Sequence, residues 1–193
     1  MTDLGTMSYF LGMEIKQDQQ GIFINQKKYA KEILNRFGME GSKAIATPMN
    51  QKEKLSKNDA VEKDDEGIYR SLIGYLMHLT TTRPDILYAV SVLSRFLHCA
   101  TLNHYKAVKR VIRYIKGTLD YGIRYKRNQV FKLEGCSDLE WGGSLDDMKS
   151  TFGYCFILSF GVFSWSSKKQ EVVAQSTAET ESIAANTAVK QAL

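Results

Sequence analysis

Hydrophobic spacing changes period along the chain and marks out its elements. SYFLGMEIK and GIFINQ run apolar or alternate around the polar QDQQ, which predicts a β-hairpin closed at Gly21. From Gln26 to Phe37, residues Tyr29, Ile33, Leu34 and Phe37 recur at helical spacing, and Gly38 ends the run. Ile68 to Thr82 is a second helical segment with Leu72, Ile73, Leu76 and Leu79 inward. Arg83-Pro84 interrupts it, because proline disfavours helix in the residue before it. Pro84 can then open the next helix, which is expected to reach about Ala100. A further helix from Asn103 or His104 to Lys116 closes at Gly117, with Val108, Val111, Ile112 and Ile115 on one stripe.

From Tyr121 the period becomes strand-like. YGIRYKR, VFKLEGCSDLEW, TFGYCFILSF and GVFSWSS read as successive strands, with a tight turn at Phe160-Gly161. Ser176 to Leu193 returns to helix, with Ile183, Ala184, Ala188 and Ala192 inward. Hairpin, helices, strands and a last helix, in that order, define an α+β class. Thr47 to Gly67 is polar and charged, with Pro48 near its start and EKDDEG at its end, and is the best linker candidate.

Composition adds little until charge is located. A chain of 193 residues, 44% apolar and 24% charged, has the make-up of a soluble globular protein of one medium or two small domains. The net charge of +5 is concentrated. Between Tyr105 and Arg127, Lys106, Lys109, Arg110, Arg113, Lys116, Arg124, Lys126 and Arg127 face one acid, Asp120, a local net of +7 that leaves −2 for the rest. Local basicity fits an anionic partner, while a solvated helix face is the plain alternative. Cys99, Cys136 and Cys155 have no zinc-site spacing and suggest no disulfide framework; Cys136 and Cys155, in strand-like runs, are expected to be small buried hydrophobes. The N-terminus lacks the basic and apolar regions of a signal peptide, and no apolar run is long enough to span a bilayer. An intracellular, reducing location is therefore expected, cytoplasmic or nuclear, with no membrane partner.

Candidate chemistry lies in the last third. On a strand, Cys136, Asp138 and Glu140 share one face, and Ser137 and Leu139 the other. Ser176-Thr177-Ala178-Glu179 has the form of a capping box, which gives Glu179 a structural task and leaves Glu181, about 200° around the helix, free. One carboxylate from a strand and one from a helix could hold a divalent metal against a phosphate. Lys168 and Lys169, expected just after the strand GVFSWSS, could steady a nucleic-acid backbone or simply be solvated. Trp165 fits sheet cover better than base stacking, and His78, His98 and His104 fit structural roles.

The ordered motifs MTDLGTMSYFLGMEIKQ, GIFINQKKYAKEIL, YRSLIGYLMHLTTTRPDILYAVSVLSRF, HYKAVKRVIRYIKGT, GCSDLEWGG, KSTFGYCFILSFGVFSWSSKKQ and STAETESIAA resemble the later part of the Pol polyprotein of copia-type retrotransposons. The resemblance implies four stretches. Residues 1–50 would be the end of a reverse transcriptase palm with a primer-grip-like hairpin, 51–67 a linker, and 68–127 a helical thumb and connection region. Residues 128–193 would be the N-terminal part of a ribonuclease H-like domain, three antiparallel strands and the first helix of an incomplete fold. By position, Asp138 and Glu181 match the first two ribonuclease H carboxylates, catalytic and magnesium-binding. Ser182 departs from the aromatic usual after that glutamate. Lys106, Lys109, Arg110, Arg113, Lys116, Lys168 and Lys169 would contact an RNA–DNA hybrid or another nucleic acid duplex. No small-molecule substrate is implied. The polymerase aspartates would precede Met1 and the later ribonuclease H carboxylates would follow Leu193, so magnesium binding is expected to be weak and the isolated chain inactive. A non-catalytic nucleic-acid-binding remnant, or an interaction protein with an acquired role, is the alternative.

Overall fold

In the computed structural model, residues 7–50, 54–57, 65–127, 132–140, 142–158 and 160–192 are described. Much of the proposed linker, 51–53 and 58–64, lies outside them. Two antiparallel sheets flank a helical core. The first has the order β1 (Tyr9–Phe10), β2 (Met13–Asp18), β3 (Gly21–Asn25) and β4 (Gly122–Lys126). The second has the order β5 (Leu133–Glu140), β6 (Thr151–Leu158) and β7 (Gly161–Lys169). The helices are α1 (Lys27–Arg36), α2 (Glu66–Leu79), α3 (Leu87–Leu93), α4 (Leu102–Gly117) and α5 (Thr177–Ala192). The mixed α+β class holds, as does the run of three antiparallel strands followed by a helix.

The hairpin forms as its alternation predicts, Ile15 opposite Ile24 and Asp18 opposite Gly21. Asp18 closes the turn by accepting from the amides of Gln20 and Gly21. Gly21 has φ +148°, and a Cβ there would meet the Tyr125 carbonyl oxygen at 1.9 Å, so only glycine lets β4 approach β3. YGIRYKR forms a strand as its period predicts; it pairs with β3, Ile123 opposite Ile24, and completes the first sheet from about a hundred residues away. Hairpin pattern is local, but strand partner is a tertiary choice.

The core lies between α1, α2, α3 and α4, where Ile33, Leu72, Leu76, Leu93, Val108 and Ile112 are almost wholly buried. Each such side chain contributes about 1.5–3 kcal/mol by leaving water. The helix expected from Pro84 to Ala100 is broken into a 3-10 turn Pro84–Ile86, α3, and a second 3-10 turn Ser94–Phe96. Asp65 caps α2 by accepting from the amides of Gly67 and Ile68. Thr101 caps α4, and His104, fully buried, accepts at Nδ1 from the Thr101 amide as a glutamate would in a capping box. At α5, Ser176 Oγ accepts from the Glu179 amide, and Glu179 accepts from the amide of Gln175, which agrees with the capping task read for it.

One segment joins these parts. Thr80 offers its carbonyl to Trp165 Nε1 at 3.1 Å. Thr81 and Thr82 donate to the Gln26 side chain at the hairpin exit. The Arg83 side chain, 3% exposed, forms a two-pronged pair with Asp85 and donates to the carbonyl and hydroxyl of Thr118 at the end of α4. The rings of Tyr114 and Tyr121 lie 5.7 and 5.3 Å from its guanidinium. Removing one partner of a buried pair costs about 3–5 kcal/mol. Arg83→Met is therefore expected to lower unfolding free energy by about that amount in urea titration; a loss under 1 kcal/mol would refute the assignment.

Candidate nucleic-acid interface and carboxylate site

The second sheet turns one face toward α3. Ser91 and Ser167 share a hydrogen bond of 2.9 Å, Arg95 Nη2 donates to Thr151 Oγ1 at 2.9 Å, and the Tyr88 hydroxyl donates to Glu140. Burial, then the Glu140 bond, push the Tyr88 phenol above its ordinary range. The sheets also touch directly, where the Tyr125 hydroxyl of β4 donates to the Val162 carbonyl of β7 at 2.8 Å.

Two cavities meet at the Tyr88–Glu140 pair, which lines both. One, about 610 Å³, lies over the sheet and is lined by Cys136, Asp138, Cys155 and Trp165. Asp138 is exposed, and its Oδ1 accepts from the Leu139 amide. The other, about 860 Å³, is bounded by residues 47–50 and 54–57, α3 and α4. Lys54, Lys57, Arg95, Arg110 and Lys169 line it against two acids, Glu140 and Asp146. Burial pulls the Arg95 guanidinium down, and the acids Asp147 and Glu140 partly offset this. The Nε of Arg110 is buried with no acceptor among the described residues. The described part of the linker candidate is held in place: Leu55 is buried, and Ser56 and Lys57 donate to Asp146.

The predicted cations divide into two groups. Lys106, Lys109 and Lys168 are exposed. Arg110 donates to Thr47 Oγ1, Arg113 to the Lys43 carbonyl and Lys116 to the Ser42 carbonyl, so these three bind the loop beside α4. Lys168 and Lys169 belong to β7 rather than following it, and Lys169 pairs with Asp147 at 2.6 Å. Sequence reasoning missed Lys54, Lys57 and Arg95, which are isolated cations in segments read as linker or apolar helix; only folding gathers them.

Glu181 is exposed on α5, next to the buried Thr180, and does not line the cavity that holds Asp138. Carboxylates suit magnesium, a hard cation that takes oxygen ligands in near-octahedral array. Among the described residues, however, no group of three or more His, Cys, Asp or Glu side chains is gathered for a metal. Asp138 on β5 and Glu181 on α5 are two carboxylates, fewer oxygen ligands than that array needs. Cys136 is exposed and Cys155 half-buried, which corrects the expectation of small buried hydrophobes. No helix among the described residues is long and apolar enough to cross a membrane.

Comparison with known proteins places the chain in the reverse-transcriptase class of retroelement proteins. A family described as "Reverse transcriptase (RNA-dependent DNA polymerase)" matches residues 1–51, the hairpin and α1. The retrovirus-related Pol polyprotein from transposon RE2 of Arabidopsis thaliana is 42% identical over 175 residues, 91% of this chain and 12% of that polyprotein. An uncharacterized mitochondrial protein of the same plant is 40% identical over 181 residues, 94% of this chain and 75% of its own length. A secreted RxLR effector protein of Plasmopara viticola is 43% identical over 126 residues, 65% of this chain and 89% of its own length. No solved structure matches. The chain belongs to the copia-type retrotransposon Pol polyprotein family, of whose RE2 member it spans about an eighth.

Two outcomes test the site geometry. Asp138 makes no ion pair among the described residues, so Asp138→Asn should change unfolding free energy by less than about 0.5 kcal/mol. Asp147 is partly buried, which raises its pKa, but hydrogen bonds from Lys169 and Ser144 outweigh this and hold it at about 2, below the ordinary 3.8. A depressed carboxylate stabilises the fold fully above its unfolded value and loses that contribution as pH falls from 3.8 through about 2. Lys169→Met should return the Asp147 pKa toward 3.8 in an NMR titration and move acid unfolding to higher pH.

Proposed function

We propose that this piece of a Pol polyprotein binds the phosphate backbone of an RNA–DNA hybrid. The observation that carries the reading is the cavity of five cations against two acids, adjoining the cavity that holds Asp138. Phosphate contacts dominate affinity for a duplex and need no sequence readout. The exposed Lys106, Lys109 and Lys168 extend the cationic surface, while Arg110, Arg113 and Lys116 order the loop beside it. The reverse-transcriptase relatives favour the same ligand class. Residues 128–193 form the start of a ribonuclease H-like domain in this reading, with Asp138 and Glu181 as the carboxylates that hold magnesium, weakly. In isolation the chain binds without cleaving, since a two-metal mechanism needs more oxygen ligands than two carboxylates on separate elements supply.

Affinity for a hybrid duplex should fall steeply with salt. The double substitution Arg95→Gln, Lys57→Gln should weaken binding several-fold and flatten the log–log salt slope by about 1–2; Lys106→Gln with Lys109→Gln should do the same more weakly. Unchanged slope and affinity in all of these would refute the interface. Magnesium-dependent cleavage of a hybrid, abolished by Asp138→Asn, would overturn the inactivity. The relative named as a secreted effector favours a second reading, an interaction protein. Failure of the folded wild-type chain to bind any duplex at low salt would turn the case to it.

A further inference from the structure

Cys136 and Cys155 are separated by 18 residues of chain but directly opposite in the register of β5 and β6. Opposed residues of an antiparallel pair project to the same face, with Cβ atoms about 4.5–5.5 Å apart. A disulfide spans Cβ separations of about 3.5–4.5 Å, so a small closing movement suffices. Both cysteines line the 610 Å³ cavity, and Cys136 is exposed to reagents that enter it. Cys99 lies in the helical region and does not line this cavity. Among the described residues β5 is an edge strand, with β6 as its one strand partner.

We propose that Cys136 and Cys155 form a dithiol site for small-molecule disulfides of the glutathione type, closing to a reversible cross-strand disulfide. The Cys136 sulfur attacks one sulfur of the small disulfide, forming a mixed disulfide and releasing one thiolate. The Cys155 sulfur then attacks Cys136 Sγ and displaces the second thiolate. The two cysteine protons pass to the two released thiolates. The net change is two protein thiols oxidised to one disulfide and one small disulfide reduced to two thiols. The product links the edge strand that carries Asp138 to the central strand of its sheet.

The test exposes the full reduced chain to glutathione disulfide and follows it by thiol titration and mass spectrometry without reductant. The expected result is a fall from three free thiols to one, loss of two hydrogens in mass, and a Cys136–Cys155 peptide link reversed by a dithiol reductant. Cys155→Ser should instead accumulate a stable glutathione adduct at Cys136, and Cys99→Ser should oxidise as the wild type does. Hydrogen exchange of β5 amides should slow on oxidation. Retention of three thiols, a wild-type adduct as persistent as that of Cys155→Ser, or a link to Cys99 or between two copies would each overturn the proposal.

Discussion

The guanidinium of Arg83 is the interaction on which the arrangement of the other parts depends. It sits at the α2–α3 junction, just before Pro84, and there it binds the Asp85 carboxylate and both oxygens of Thr118 at the end of α4. Buried charge is costly unless paired and fully hydrogen-bonded, and this guanidinium meets both conditions between two tyrosine rings. Its neighbours extend the junction. Thr81 and Thr82 hold the exit of the hairpin through Gln26, and Thr80 receives Trp165 from β7. One short polar run thus fixes the first sheet, the α4 terminus and the second sheet relative to the helical core. Proline at position 84 helps by disfavouring continued helix at Arg83.

That junction also sets the site. By placing α3 over β5–β7 it brings Tyr88 against Glu140 and Arg95 against Thr151. The Tyr88–Glu140 pair then divides the space into an acid-bearing cavity and a cation-lined one. Cations without matching acids are costly to collect in one concavity; the protein limits that cost by pairing Lys169 with Asp147 and turning Arg113 and Lys116 toward backbone carbonyls. The residual positive lining is what suits the site to a polyanion. The facing cysteines belong to the same sheet, so redox state and the seating of Asp138 share one strand pair.

Elements with a strong local signal were legible from the chain alone. The hairpin at Gly21, the stripe Val108, Val111, Ile112 and Ile115, the strands around Asp138 and the cap at Ser176 all follow from period and capping chemistry. Family was legible from the order of motifs. What depended on distant partners was not. β4 closes a sheet begun a hundred residues earlier, and His104 occupies a place where a glutamate signature was the thing to look for. Arg83 read as a helix interruption, because a buried ion pair leaves no periodicity. Lys54, Lys57 and Arg95 had no shared pattern before the helices and sheet met around them.

The sequence by itself determined where helices and strands lie, which face of each is apolar, the concentration of charge near α4 and the carboxylates worth considering, since these follow from spacing over a few turns or strand residues. The tertiary structure alone decided which strand joins which sheet, which cations point into a cavity and which bind a loop, and that two cysteines 19 positions apart stand face to face. Those outcomes depend on the packing of remote segments, and the burial of Arg83 at their junction is what holds that packing in one arrangement.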